Sequence, residues 1–425
     1  METNVKLISK DGDFLSILYR ISQEDIPVTA YMQNPSNKMY DNMIEKVHTE
    51  TELDITPDSV VVFDMVGAGE AADILKQKGY RVVGGSSLAD EIELDRYKGT
   101  EFMEAAGIRT PKSYLFDSFE ELGSFLDKNP ADKYVFKPHG NLETDLTLPG
   151  YTSEYMKSII PYLRERCGED VTFEIQEFVE GVEMSTEAWF NGQDFIRPIN
   201  STMESKGLME GNKGPATGCA GNTVWYWDAE TSEFLYRYLF EGMVDKLRED
   251  NYVGPIDVNG IWAPDGIYGL EFTARFGYDA IQAMTRLLQI TPGEFITSLD
   301  SIYELPVKEE QYSHAIRLSI PPYPLDGDVP NLPINIIDQD KYSDNIYLSD
   351  VMLDDEGMLK CAGSDGYIMC IAEDSMPLQR LISKTLHIAE GIEIPSLQYR
   401  RDTGDRVIRD RQKIEAVMLD IHRKA

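Results

Sequence analysis

The sequence predicts an α/β protein that opens on a doubly wound parallel sheet, and three observations carry that expectation. Residues 59–65 (SVVVFDM) form a nearly unbroken apolar, β-branched run, the pattern of a parallel strand buried on both faces. Strand and helix patterns alternate around it: strands at 5–9 and 28–32, helical spacing over 13–21, a helix over 71–79, and a strand at 80–83. Such β-α-β alternation builds a doubly wound domain. The third observation is size: at 425 residues the chain exceeds what one hydrophobic core supports, so further subdomains follow.

The elements can be justified in order. Gly67-Ala68-Gly69 after the buried run reads as a tight strand-to-helix turn more readily than as a nucleotide loop. Residues 87–107 read as one helical stretch carrying Arg96 and Lys98. A helix over 119–128 precedes the strand 133–137 (KYVFK), which stops at Pro138-His139-Gly140. A helix over 153–165 leads into alternating strands from 171 to 199. Glycine and asparagine dominate 207–222, which reads as a long functional loop. A helix over 233–249 and a hairpin over 254–277 follow. The C-terminal stretch mixes short strands with one clear helix over 376–390.

Composition excludes several function classes. The formal charge is −34, and a surface so acidic repels phosphate backbones and anionic membranes. The first basic run is 399–411, and Asp402, Asp405 and Asp410 dilute it. Neither nucleic acid nor membrane is therefore an expected partner. Cys167, Cys219, Cys361 and Cys370 have no C-x-x-C spacing, which predicts neither a zinc site nor a disulfide framework. There is no apolar signal segment and no run of ~18–20 apolar residues, so a cytoplasmic protein is expected.

The hairpin is the most informative segment. Pro264-Asp265-Gly266 is a turn signal. Strand alternation puts Tyr268, Leu270, Phe272, Ala274 and Phe276 on one apolar face, and Glu271, Thr273 and Arg275 on the other. On the preceding strand Asp257 and Asn259 share a face. Oxygen ligands of that kind suit a hard divalent cation, and a polyphosphate wants both metal and guanidinium to spread its charge.

At these residues the chain resembles a family. Gly269-Leu270-Glu271-Phe272-Thr273-Ala274-Arg275-Phe276-Gly277 resembles the E-F-N-x-R-F-G-D motif of glycinamide ribonucleotide synthetases. In the same order as in that family, GIRTP at 107–111 resembles G-I-P-T-A, and YVFK at 134–137 resembles the strand of the ATP-binding lysine. IQEFVEGVEMS at 175–185 resembles I-E-E-F-L-x-G-E-E-x-S, GPATGCAG at 214–221 resembles G-P-N-T-G-G-M-G, and YRRDTGDR at 399–406 resembles Y-R-R-D-I-G-x-R. Together these matches span nearly the whole chain.

The resemblance implies an ATP-grasp fold: an N-terminal doubly wound α/β domain at 1–91, an ATP-grasp domain at 92–302 with a lid at about 112–185, and a small C-terminal α+β domain at 303–425. It implies ATP and Mg²⁺ (or Mn²⁺) as cofactors. Lys137, with Arg96 or Lys98, would hold phosphates; Glu177, Phe178 and Val179 would form the hinge that reads adenine, and Glu183 would hold the ribose. Asp257, Glu271 and Thr273 would ligate the metal. Arg275 and Lys206 would be the catalytic cations, and Gly214, Pro215, Thr217 and Gly218 would contact the acceptor. The implied partners are small molecules, a carboxylate and an amine, acted on by a monomer or small homo-oligomer. The implied reaction forms an acyl phosphate that an amine then converts to an amide. His139 beside Lys137 reads as a structural loop-end residue.

The chain departs from the family in four places. Lys10-Asp11-Gly12-Asp13-Phe14 replaces the N-terminal G-x-G-G-R-E-H-A, putting acid where a cation is expected. Gly366-Tyr367-Ile368-Met369 replaces G-G-R-V-L, losing an arginine. Asn141-Leu142-Glu143-Thr144-Asp145 replaces a glycine-rich phosphate loop, and Thr273 replaces an asparagine. Two readings follow: an active ligase, either a divergent glycinamide ribonucleotide synthetase or a relative with a changed amine acceptor, or a non-catalytic relative that binds a nucleotide or a partner protein.

Overall fold

The computed structural model describes residues 3–34, 36–130, 132–138, 148–168, 171–277, 280–375 and 377–422. His139 and the 141–145 segment lie outside them. The N-terminal sheet is built from β1 (Asn4–Ser9), β2 (Val28–Met32), β3 (Lys46–Val47), β4 (Ser59–Phe63) and β5 (Arg81–Val83), all parallel, in the order β3-β2-β1-β4-β5. Its helices include α1 (Leu15–Ser22) and α2 (Gly69–Gln77). Val60 and Val62 pack with Leu15 and Leu18 of α1, while Val61 and Phe63 pack with Ala72 and Leu75 of α2. The apolar run at 59–63 is thus covered on both sides, as its composition predicts.

The Gly67-Ala68-Gly69 segment is a structural turn. The amides of Gly67 and Gly69 each donate to the Asp90 carboxylate at 2.7 Å, so a protein anion already occupies this helix start. Two helices follow, α3 (Ser87–Leu94) and α4 (Arg96–Ala105), rather than the single stretch expected over 87–107. Asp95 divides them, because its carboxylate caps α4 by accepting from the amides of Tyr97 and Lys98 at 3.0 and 3.1 Å.

A four-stranded antiparallel sheet comes next, from β6 (Ser113–Phe116), β7 (Lys133–Pro138), β8 (Leu148–Thr152) and β9 (Phe173–Glu177), in the order β6-β9-β7-β8. Helices α5 (Phe119–Lys128) and α6 (Ser153–Cys167) cover it. It has its own core, including Phe116, Phe119, Phe136, Met156, Leu163 and Phe173.

The central sheet takes β10 (Val182–Phe190), β11 (Asn200–Met209), β12 (Lys213–Tyr226), β13 (Gly254–Ala263) and β14 (Gly266–Thr273). The C-terminal strands are β15 (Tyr312–Ser319), β16 (Asn335–Ile336), β17 (Ile346–Leu348), β18 (Val351–Leu353), β19 (Leu359–Cys361), β20 (Tyr367–Ser375) and β21 (Ile392–Glu393). Three of them extend the sheet to eight strands, β14-β13-β10-β11-β12-β15-β20-β17. The remaining helices are α7 (Ala229–Leu235), α8 (Val244–Glu249), α9 (Ala280–Leu287), α10 (Pro292–Ser298), α11 (Gln339–Tyr342), α12 (Leu378–Ala389) and α13 (Asp405–His422). No described helix is long and apolar enough to cross a membrane, and none of the four cysteines is in a disulfide.

Three sequence expectations are corrected here. Residues 207–222 are not a loop but most of the β11–β12 hairpin, turned by Gly211 and Asn212 at φ +72° and +57°. Glycine at 207 is needed because a Cβ there would lie 2.7 Å from the backbone of Asn212 and Lys213. The helix expected over 233–249 is broken between α7 and α8 into a π turn at Tyr236–Phe240 and a 3-10 turn at Glu241–Met243. At this break Gly242 lets the Ala106 carbonyl approach to 2.2 Å of its missing Cβ. Finally, the C-terminal stretch holds a second long helix, 405–422, besides the one expected over 376–390, with Val407, Ile414, Val417, Met418 and Ile421 buried.

Gly69 offers a test of the N-terminal turn. A Cβ there would lie 2.2 Å from the Ser86 carbonyl oxygen. Gly69→Ala is expected to cost about 1–3 kcal/mol of stability through overpacking, read as a lower urea midpoint with an unchanged slope. An unchanged midpoint would mean that the turn relaxes freely away from Ser86.

Candidate active site

The register of the central sheet collects the polar residues. Across β13–β14, Asp257 pairs with Thr273 and Asn259 with Glu271; on its other side, β13 sets Asp257 opposite Glu187 and Asn259 opposite Ser185. Alternation places all of these on one face together with Glu183. Beyond β10, Asn200 and Thr202 of β11 continue that face, and Glu204 and Lys206 lie further along it. A bulge between Asn259 and Gly260 leaves Leu270 unpaired and exchanges the faces beyond it. Ile267 and Trp262 therefore go into the core, each 1% exposed. Tyr268 instead joins the polar side, with the Arg109 guanidinium 4.4 Å from its ring centroid. The expectation of a shared apolar face for Tyr268, Leu270 and Phe272 is corrected accordingly.

This face carries more negative charge than its own cations balance. The Ser185 hydroxyl donates to Asn259 Oδ1 at 2.8 Å, and Asn259 Nδ2 donates to Thr273 Oγ1 at 3.1 Å. Asp257 Oδ1 is enclosed without a hydrogen-bond partner. Burial, then the charges of Glu187 and Glu204, push the Asp257 carboxyl well above the usual carboxylate range, against Ser185 and Lys206. Burial likewise raises Glu187 to about 7, opposed by hydrogen bonds from Trp189 and Asn200. Lys206 lies 3.6 Å from Glu183 and 3.9 Å from Glu204. Burial alone would lower its ammonium, but Glu204, Glu183 and Glu271 outweigh that and raise it.

Cations face these acids from the four-stranded sheet and α4. Lys137, at the end of β7, is 6% exposed. Burial first, and then the neighbouring Arg96, lower its ammonium, while Glu271, Glu174 and Glu183 act in the opposite sense. Arg96 Nη1 is enclosed without a hydrogen-bond partner. Two cations desolvated side by side, one with an unmet donor, form a place for an anion. Lys98 instead lies near Glu91 and Glu101, at 3.8 and 3.9 Å.

The other expected residues fall into three groups. At the β9–β10 connection the amides of Glu177 and Phe178 donate to the carbonyls of Lys112 and Lys133 at 2.8 and 3.0 Å, and Val179 follows half-buried. In β12, Gly214 and Gly218 adopt φ +77° and +71°. Between them, beyond Pro215, the hydroxyl of Thr217 donates to the Lys206 carbonyl at 2.8 Å. The Thr217 carbonyl accepts from Arg317 Nη1 at 3.1 Å and from the Tyr323 hydroxyl at 2.8 Å. Beyond β14, Arg275 Nε donates to Glu93 at 2.9 Å, and its Nη1 lies 3.9 Å from Asp13.

Comparison with known proteins bears on the fold that carries these residues. Residues 97–280 match the phosphoribosylglycinamide synthetase ATP-grasp (A) domain. The solved phosphoribosylamine–glycine ligase of Thermotoga maritima superposes with a TM-score of 0.69, at 18% identity, over 94% of this chain and 100% of that one. The chain has the ATP-grasp fold. Biotin carboxylase of Campylobacter jejuni shares the fold at TM-score 0.62 and 11% identity, covering 97% of each chain. In sequence, the phosphoribosylamine–glycine ligase of Corynebacterium ammoniagenes is 24% identical over 387 residues, 86% of this chain and 87% of that protein.

The Tyr399–Arg406 segment acts as a clamp. Arg400, 4% exposed, makes a two-pronged pair with Asp402 at 2.9 Å and donates to the Gly207 carbonyl at 2.8 Å. Asp402 accepts from the Gly211 amide at 2.7 Å. Arg401 pairs with Glu390 at 2.7 Å, and Arg406 donates to the carbonyls of Glu204 and Glu183 at 3.0 and 2.7 Å. Sequence reasoning missed Glu93, Glu204, Arg317 and Tyr323 at this site. A lone arginine in the apolar strand 312–319 was the one signal available for Arg317.

The proton on Glu187 has a measurable consequence. Its folded value of about 7 exceeds the ordinary 4.5, so the folded state binds the proton more tightly. The associated stability is fully present below about pH 4.5 and is lost as pH rises through 7. Glu187→Gln keeps the carbonyl acceptor for Trp189 and loses the titration. The variant should gain on the parent chain by about 3 kcal/mol between pH 4.5 and pH 8, read by urea unfolding. A difference independent of pH would show that Glu187 does not hold this proton.

Proposed function

We propose that this chain is an ATP-dependent carboxylate–amine ligase, similar to phosphoribosylamine–glycine ligase, with a changed amine acceptor. The observation that carries the reading is the buried Lys137 beside the half-buried Arg96, set across from Glu271 on the acidic face that also holds Asp257. Cations needing an anion and acids needing a cation are what a metal–polyphosphate complex satisfies together. Lys137 and Arg96 would hold the phosphates. With the Glu177 and Phe178 amides already bonded, the Val179 backbone would read adenine, and Glu183 would take the ribose. Asp257 Oδ1, Glu271 and Thr273 offer oxygen donors that suit Mg²⁺ or Mn²⁺. Among the described residues no three His, Cys, Asp or Glu side chains form a ready-made metal site, which fits an ion that arrives with the nucleotide. That ion would spread the charge of the β- and γ-phosphates.

The reaction follows from positioning. A substrate carboxylate oxygen attacks the γ-phosphorus, the bond to the β-bridging oxygen breaks, and ADP leaves an acyl phosphate. The amine nitrogen then attacks the acyl carbon, phosphate departs, and the nitrogen loses a proton to give the amide. Lys206, whose carbonyl accepts from Thr217 of the 214–218 segment, and Arg275 would neutralise the phosphoryl and acyl oxygens. We read the domain plan as 1–91, 92–302 with its lid, and 303–425. The protein would work in the cytoplasm on small molecules, as a monomer or small homo-oligomer. The charge of −34 supports partners other than nucleic acid.

Two variants test this. Glu271→Gln should abolish ADP release at saturating ATP and Mg²⁺ with an unchanged melting profile; parental turnover would remove Glu271 from the metal site. Lys137→Met should weaken ATP binding at least tenfold, about 1.4 kcal/mol, in a calorimetric titration. Unchanged affinity would place the phosphates elsewhere.

A further inference from the structure

The loop after β1 brings acids to the end of the active-site cleft. Asp64, 0% exposed, accepts through Oδ2 from the Ser9 hydroxyl at 2.8 Å and the Phe14 amide at 2.9 Å. These bonds fold the 9–14 loop over it. Its other oxygen, Oδ1, is enclosed without a hydrogen-bond partner. Asp13 stands against it: burial and then the Asp64 charge push the Asp13 carboxyl up to about 8, with Arg275 opposing. Asp11 acts on both carboxyls. Asp365 reaches the same region, since it interacts with Asp11 and with the Arg317 that also faces Asp13.

The arginines of this region already serve protein acceptors. Arg275 donates to Glu93. Arg317 donates to the Thr217 carbonyl, is hydrogen-bonded to the Tyr323 hydroxyl, and lies 3.8 Å from the centroid of the Tyr367 ring. It thus occupies the neighbourhood of the C-terminal arginine that the sequence replaces with Tyr367. Arg400 and Arg401, the other candidates to grip a phosphate, are held by Asp402 and Glu390. Four carboxylates meet two engaged arginines next to the 214–218 segment, and one buried carboxylate oxygen lacks a donor.

Resting on the ligase reading above, we propose that the amine acceptor is a cation-bearing molecule without phosphate, such as a diamine, whose second ammonium binds between Asp13 and Asp64. An ammonium supplies the donors that Asp64 Oδ1 lacks and offsets the charge of Asp13, Asp11 and Asp365. A phosphorylated amine would add anionic charge to the same acids. Asp13 is the specificity-determining residue, and Asp64 sets its position through the loop.

The test titrates the full chain, loaded with a non-hydrolysable ATP analogue and Mg²⁺, with 1,4-diaminobutane and with 2-aminoethyl phosphate. The diamine should bind at least tenfold more tightly than the phosphorylated amine. Asp13→Asn should weaken the diamine at least tenfold, and Asp13→Lys should invert the preference. The exposed Asp11→Asn should give a smaller loss in the same direction, which guards against misfolding at Asp13. Absent diamine binding, an equal or reversed preference in the parent chain, or phosphoribosylamine–glycine turnover above about 1 per second overturns the proposal. The isotherm of the ATP analogue is read separately: its failure to bind overturns the ligase reading, whereas analogue binding with the phosphorylated amine preferred overturns only this inference.

Discussion

The charge on one face of the central sheet is the constraint on which the rest depends. Asp257, with an enclosed, unpartnered oxygen, feels the charges of both Glu187 and Glu204, and Lys206 is the cation that the same sheet sets against them. Burying carboxylates without sufficient positive charge is unfavourable. The fold tolerates it because the opposing surface, on β7 and α4, has the converse problem in Lys137 and Arg96. Each surface lowers the cost of the other when they approach, and a metal-bound anion between them would lower it further. Electrostatics of this kind favours a cleft that closes on a charged ligand over one that closes on itself.

That constraint explains why the register of three strands matters more than any single side chain. Glu271 reaches the polar face only because the bulge after Asn259 leaves Leu270 unpaired. Without the bulge, one slip of register would send Glu271 into the core opposite Val258 and bring Leu270 and Phe272 to the polar face. The small residues around it serve the same end. Gly269 takes the close approach of Met103 and Ile108 from the α4 side, where a Cβ would meet Met103 Sδ at 2.7 Å.

How much of this was legible in the sequence depended on how local the cause was. The buried run at 59–63 and the amphipathic helix 119–128 are fixed by neighbours in the chain, and their patterns mark them closely. The convergence of Asp257 and Asn259 with Thr273 and Glu271 was legible because a hairpin is a local object, whereas their pairing depends on the bulge after Asn259. The β11–β12 hairpin was not, since its glycines are there for the approach of Asn212 and for the positive φ of Gly214 and Gly218; composition makes such glycines look like a loop. The helix 405–422 was hidden because charged residues outnumber the apolar ones that bury it. Glu93 and Arg317 were invisible for another reason: each acts across a distance of more than ninety residues, on Arg275 and on Thr217.

The YRRDTGDR segment shows why a motif match names a region before it names a role. Arginines in a ligand-binding protein invite assignment to phosphate. Here Arg400 is spent on Asp402 and on the carbonyl of Gly207, and Asp402 holds the amide of Gly211. Arg406 reaches the carbonyls of Glu204 and Glu183, two residues whose side chains face Lys206. The segment therefore fixes the strands on which the cleft's acids stand, from the side chain–backbone contacts that a guanidinium makes well. His314 completes the attachment, its two ring nitrogens 2.9 Å from Thr223 Oγ1 and 3.1 Å from Thr403 Oγ1. Burial keeps this imidazole neutral down to about 4, so the link between β12, β15 and the start of α13 carries no charge of its own. A neutral tie there leaves the field of the cleft to the groups that face it.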